Sequence, residues 1–195
     1  MHKVKYLLTY RYSEIIHDLT IVFTKKYMLS HLSTLSNLQG QFKPDYRQAD
    51  QLNQAARSGK QNIVEGVSAG ATSKSSEIKL LGVANASFEE LLMDFEDYLR
   101  QHSLEIYPKT DPKITVFRQK AYQLSNLSNL SDLGYLIQKP ELPENPQDAA
   151  NFLLTLCHLV TYLLSKQVLA AKEKFIKEGG LNEQLYKARI KQRGF

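Results

Sequence analysis

One cysteine, Cys157, stands alone among 195 residues, so the chain has no internal disulfide framework and no cysteine-rich zinc site. Reduced, cytoplasmic surroundings are the natural expectation. Catalytic patterns are equally scarce. The sequence lacks a glycine-rich phosphate loop of the Walker or dinucleotide type, an HExxH helix and any Cys-x-x-Cys pair. Long hydrophobic runs are missing too. The longest, Phe152 to Leu164, is interrupted by His158 and two threonines and falls short of the roughly 18 residues of a membrane span. The N-terminus is basic, but its apolar patch is only Leu7-Leu8, too short for a signal-peptide core. A soluble protein is expected, with no membrane partner, no cofactor, no metal and no small-molecule substrate.

Charge is plentiful and unevenly spread. The formal net charge is +5, and residues 1–79 carry 11 Lys/Arg against 6 Asp/Glu. Residues 80–165 reverse this with 6 against 11, and residues 166–195 return to 8 against 3. A nucleic-acid footprint takes the form of such a basic patch rather than a high average. Basic helix ends also arise simply because they complement the helix dipole.

Helical periodicity dominates the rest. Ile15, Ile16, Leu19, Val22, Phe23 and Tyr27 recur at helical spacing behind Ser13, which reads as an N-cap. Leucines 29, 32, 35 and 38 follow in a diluted stretch, broken at Phe42-Lys43-Pro44-Asp45. A second helix is predicted from about Asp45 to Val64. Its stripe of Ala49, Leu52, Ala56, Gly59 and Ile63 falls within about 80° at 100° per residue. Gly59 costs on the order of 1 kcal/mol relative to alanine there, which points to a close neighbour. Asn62, Glu65 and Gly66 are expected to hold the turn that ends this helix, with Asn62 bonding unpaired carbonyls. A third helix spans about Ser76 to Gln101 on Ile78, Leu81, Phe88, Leu92, Phe95 and Leu99. Gly82, Val83 and Ala86 lie on its back and are candidate oligomer contacts.

Asp111-Pro112 starts a fourth helix, which runs into SNLSNLSDL, where a three-residue leucine period drifts off any one face. Three prolines mark residues 139–147 as a linker between residues 1–138 and 148–195. Asn145-Pro146 then starts a long helix closed by Gly179-Gly180, and a short basic helix from about Leu181 to Gln192 follows. Only Val4 to Tyr10 has any strand character. The expected fold is all-α: an antiparallel up-and-down four-helix bundle with an additional C-terminal basic helix.

Polar constellations are weak. His17-Asp18 and Cys157-His158 are sequence neighbours, about 100° apart on a helix, so neither makes a dyad on one face. Glu89, Glu90, Asp94, Glu96 and Asp97 lack the Glu-x-x-His pattern of bundle di-metal sites and read as a solvated or partner-facing surface. Arg11 and His17 match the loose Arg-x(4–6)-His spacing of HEPN ribonucleases, the one catalytic alternative. Arg57, Lys60, Lys74 and Lys79, with Lys187, Arg189, Lys191 and Arg193 of the tail, are the candidate phosphate-binding cations.

One stretch is more specific. Gln51-Leu52, Ala55-Ala56, Ser58, Asn62-Ile63 and Glu65-Gly66, then Ser73, Glu77, Leu81, Ala84, Ala86-Ser87 and Glu90-Leu91, resemble the four-helix-bundle proteins related to 23S rRNA intervening-sequence proteins. Asn53-Gln54 stand where that pattern carries a basic pair, and Ala86 where it has glycine. The tail from Phe175 to Arg193 resembles the suffix domain of one subgroup. The resemblance implies an antiparallel bundle, homo-oligomerisation or a partner protein, binding of RNA or DNA through a basic surface in one branch, and no enzymatic activity. A protein-interaction module without nucleic-acid binding is the alternative.

Overall fold

The computed structural model describes residues 3–29 and 45–193. The leucine-bearing stretch at 30–41 and the break at 42–44 lie outside them. The described chain is all-helical: α1 (Leu8–Phe23), α2 (Tyr46–Ala69), α3 (Lys74–Gln101), α4 (Pro112–Ser125), α5 (Pro146–Glu178) and α6 (Leu181–Gln192). No strand occurs among the described residues; Leu130 and Leu136 form a single isolated bridge.

Helix α1 begins earlier than the N-cap reading of Ser13 predicts. The segment with strand character is a 3-10 turn, Lys3–Tyr6, running into α1 through an extended Leu7. Ser13 lies buried in mid-helix, where its hydroxyl donates to the Tyr10 carbonyl at 2.6 Å. A serine that bonds its own preceding turn needs no helix start. Past Phe23 the helix widens into a π-helical turn, Thr24–Leu29. There the Tyr27 hydroxyl donates to the Pro143 and Glu144 carbonyls, both at 2.9 Å.

Helices α2 and α3 are joined by the short turn at residues 70–73. Asp45 caps α2 by accepting from the Gln48 amide at 2.9 Å, and Ser73 caps α3 by accepting from Ser76 at 3.2 Å. The predicted stripe Ala49, Leu52, Ala56, Gly59 and Ile63 is buried throughout. Gly59 lies under the ring of Phe88, which is 0% exposed. Burying such a ring is worth about 2–3 kcal/mol. One step along, Ser58 and Ser87 share a hydrogen bond of 3.0 Å.

Core side chains come from α1, α2, α3, α4 and α5, with Phe23, Phe88, Phe95 and Phe152 the largest fully buried. Phe23 meets Phe95 and Tyr98 edge to face, at 5.3 and 4.9 Å between ring centres. Asp111 and Asn145 cap α4 and α5 with proline at the first position of each. Helix α5 therefore starts at Pro146, inside the proline-rich segment. That segment is fastened at Glu144 by Lys26, 2.8 Å away, and at the Glu141 carbonyl by Lys120, 2.9 Å away. By length and composition α5 passes for a membrane span, with a mean hydropathy of 1.5 over its most apolar window. Its residues 149–157, together with Val160 and Leu164, are buried against the other helices. Beyond Leu164 no residue of α5 or α6 is buried; Gln167 still bonds Thr9 and Val168 still packs on the core, and the chain past them forms an arm outside it. Gly179, at φ 74°, stops α5.

Candidate functional surfaces

The α2–α3 corner does not assemble the four cations expected of it. Arg57 and Lys79 are exposed and engage no protein partner among the described residues. Lys74 is spent on Glu77 at 2.9 Å, a half-buried pair within one turn of α3. Lys60 turns toward α1, where its ammonium lies 3.1 Å from His17 Nδ1. Charge alone could not reveal this. A lysine reads identically whether it faces solvent or a carboxylate one turn away.

The expected turn residues also play another part. Helix α2 continues past Asn62, Glu65 and Gly66 to Ala69, and the turn falls at Gly70 to Ser73. Asn62 donates to the Ser58 carbonyl at 2.9 Å inside the helix, and Glu65 is exposed. Gly66 is buried. A methyl added there would stand 3.2 Å from Leu80 Cβ, so this glycine admits α3 rather than ending α2. Gly70 occupies the position where the Glu77 carboxylate folds back over the turn.

On α3, Gly82, Val83 and Ala86 are exposed, as are Glu90, Met93 and Asp97. All six fall within about 100° of helix circumference, so they form one outer face. Val83 is 49% and Met93 65% exposed. Beside this face, burial and then the neighbouring Glu90 and Asp97 carboxylates push Asp94 up to about 6. The HEPN-type pair does not come together. Arg11 is only 6% exposed, and its Nε and Nη1 find no partner among the described residues. His17 lies about 120° around α1 from it.

The tail behaves differently. Lys187, Arg189, Lys191 and Arg193 are all exposed on or just beyond α6, which buries nothing. Lys187 and Arg189 project about 160° apart, so charge surrounds the helix rather than marking one side.

A further site escapes sequence reasoning. Between the 105–109 segment, α4 and α5 lies a groove of about 410 Å³. Ile114, Leu154 and Leu159 supply apolar lining, and Ile106 and Tyr162 stand at its mouth. Lys109, Arg118 and His158 line it as well. Its wall is built by Asn151, which is 1% exposed. Asn151 Oδ1 accepts the Tyr107 amide at 2.8 Å while Nδ2 donates to the Glu105 and Gln147 carbonyls, each at 2.9 Å. The Tyr107 hydroxyl donates to Asp148, and Lys113 approaches the same carboxylate oxygen at 2.8 Å. Burial works against ionisation of Asp148, but the hydrogen bonds from Lys113 and Tyr107 hold it below its usual range. Burial lowers His158; Glu96 opposes this, and the nearby Lys109 and Arg118 add to it. The sequence signal was slight, a single asparagine just ahead of the apolar run of α5.

Cys157 is wholly buried, and burial pushes its thiol far up, so it stays protonated and unreactive. No cluster of three or more metal-ligating side chains occurs among the described residues. Comparison with protein-family models, with curated proteins and with solved structures returned no match.

Proposed function

We propose that the chain is a non-catalytic binder of RNA or DNA, akin to the 23S rRNA intervening-sequence proteins, and built as an antiparallel up-and-down four-helix bundle with an additional basic helix. The bundle reading rests on cross-helix pairs that run in opposite sequence directions. Thr24 bonds Asn53 while His17 meets Lys60; Gly59 packs on Phe88 while Gly70 meets Glu77; and Thr9 bonds Gln167 while Tyr27 bonds Pro143. Residues 51–91 carry the family reading.

The observation that carries the binding function is the arm. Residues 166–193 hold 8 Lys/Arg against 3 Asp/Glu, and the single ion pair among them, Lys174 with Glu178, is a loose 3.9 Å. Unpaired cations on a protruding helix bind a phosphate backbone by releasing its counterions, so affinity falls with salt. Fluorescence anisotropy with labelled single-stranded RNA, single-stranded DNA and duplex DNA across about 50–200 mM salt tests this. Changing Lys187, Arg189, Lys191 and Arg193 together to glutamine should flatten the log–log slope on single strands by about 3. Because α6 buries nothing, the rest of the fold should survive the change. The absence of salt-sensitive affinity for any of the three ligands would refute the proposal.

A second reading is favoured by the outer face of α3. Small Gly82 and Ala86 beside exposed Val83 and Met93 suit a protein contact, either a second copy or a partner. In that case Ala86→Leu or Gly82→Leu lowers the native mass measured by sedimentation while helicity stays unchanged. An unchanged mass for both variants removes this reading.

A further inference from the structure

The groove beside α4 and α5 combines features that neither the arm nor the α3 face has. It is concave, its wall is fixed by the fully engaged Asn151, and two cations on its lining have no counter-ion. Lys109 and Arg118 form no ion pair or hydrogen bond with any described residue. We propose that this groove binds a small amphipathic carboxylate, with its apolar body along Ile114, Leu154 and Leu159 and its head between Lys109 and Arg118.

Size agrees with this occupant. A volume of about 410 Å³ falls inside the roughly 300–1,000 Å³ span of small-ligand sites, which are mostly apolar with a few convergent polar groups. Ile106 and Tyr162 are 47% and 61% exposed, so a bound hydrocarbon body would take large apolar surface out of water. Charge specifies the other end. Lys109 and Arg118 both line the groove and both act on the charge of His158, so two like charges share this small site and an anion there offsets their repulsion. A planar guanidinium and an ammonium together suit a carboxylate head. His158, whose pKa burial lowers, adds a hydrogen-bonding group, while Glu96, whose charge also acts on that ring, disfavours a second anionic group. The ligand is therefore a monoanion with one head and one greasy end. A bare anion would waste the lining, and a neutral hydrocarbon would leave the cations unpaired.

Titration of the full chain with decanoate, followed by calorimetry and by displacement of anilinonaphthalene sulfonate fluorescence, tests the proposal. Decanoate below its micelle concentration should bind saturably, one per chain, and at least about tenfold more tightly than decanol or inorganic phosphate. Lys109→Gln with Arg118→Gln should weaken decanoate by about tenfold or more and leave decanol unchanged. Both side chains are exposed, so the variant should keep its fold, which circular dichroism would verify. Ile106→Asp, which puts a carboxylate at the mouth, should abolish decanoate binding. Equal affinity for decanol, competition by phosphate as strong as by decanoate, or an unaffected double variant would each overturn the assignment.

Discussion

Replacing two helical glycines by alanine should move stability in opposite directions. In an open helix position the exchange gains about 0.8–1.0 kcal/mol, because glycine has more backbone freedom to lose. Gly82 is such a position: no neighbouring atom lies within 4 Å of an added Cβ. Gly82→Ala should therefore stabilise by up to about 1 kcal/mol. Gly59 has the same intrinsic gain available, yet its new methyl would stand 2.5, 2.6 and 2.9 Å from three ring carbons of Phe88. Ordinary contact needs about 3.5–4.0 Å, so the ring must retreat by about 1 Å inside a close-packed core. Overpacking of that kind costs about 1–3 kcal/mol, which leaves Gly59→Ala between neutral and about 2 kcal/mol destabilising. The cause can be isolated. Phe88→Leu removes the obstructing ring atoms, so the two changes together should cost less than their sum, by about 1 kcal/mol or more. Urea unfolding followed by circular dichroism measures all four proteins. If Gly59→Ala stabilised as much as Gly82→Ala, with no coupling to Phe88, the account of how α2 meets α3 would be wrong.

Other consequences concern polar groups. Asp94 has a folded pKa of about 6, above its unfolded value near 3.9, so its ionisation opposes folding increasingly as pH rises through that window and fully above it. After discounting for its partial exposure, Asp94→Asn should stabilise by on the order of 1 kcal/mol near pH 8 and do nothing below about pH 3.5; denaturant titrations at both values check the sign. Arg11 carries a buried guanidinium with two unpartnered nitrogens, so Arg11→Met should be neutral or stabilise by about 1–3 kcal/mol, and a loss above about 1 kcal/mol would reveal a partner. Asn151→Ala strands the Tyr107 amide and the Glu105 carbonyl; it should cost about 2–4 kcal/mol and speed hydrogen exchange at Tyr107 ahead of the α3 core. Unchanged protection there would mean that the groove wall is held by other contacts.

Much of the fold was legible residue by residue. Asp111-Pro112, Asn145-Pro146 and Gly179 each announce a helix end through chemistry confined to a few neighbouring residues. The apolar stripe of α2 was equally plain, because burial follows helical periodicity. Ser13 and Gly66 show where that logic stops. A serine can cap a helix or bond back to its own preceding turn, and a glycine can end a helix or admit a neighbour. Each pair of outcomes has the same local pattern, and only the position of the surrounding chain separates them.

The candidate surfaces divide along the same line. The sequence by itself determined the helices, their caps, the core stripes and the basic character of the tail, since backbone hydrogen bonds, proline and glycine dihedrals and local charge density all act over short spans. Only the tertiary structure decided that Lys60 turns to His17, that Gly59 lies under Phe88, and that Arg11 is buried. It alone brought Lys109, Arg118 and His158 to one groove from separate segments. Such meetings depend on how whole helices pack, and no short stretch of sequence encodes the distance between residues that only the fold makes neighbours.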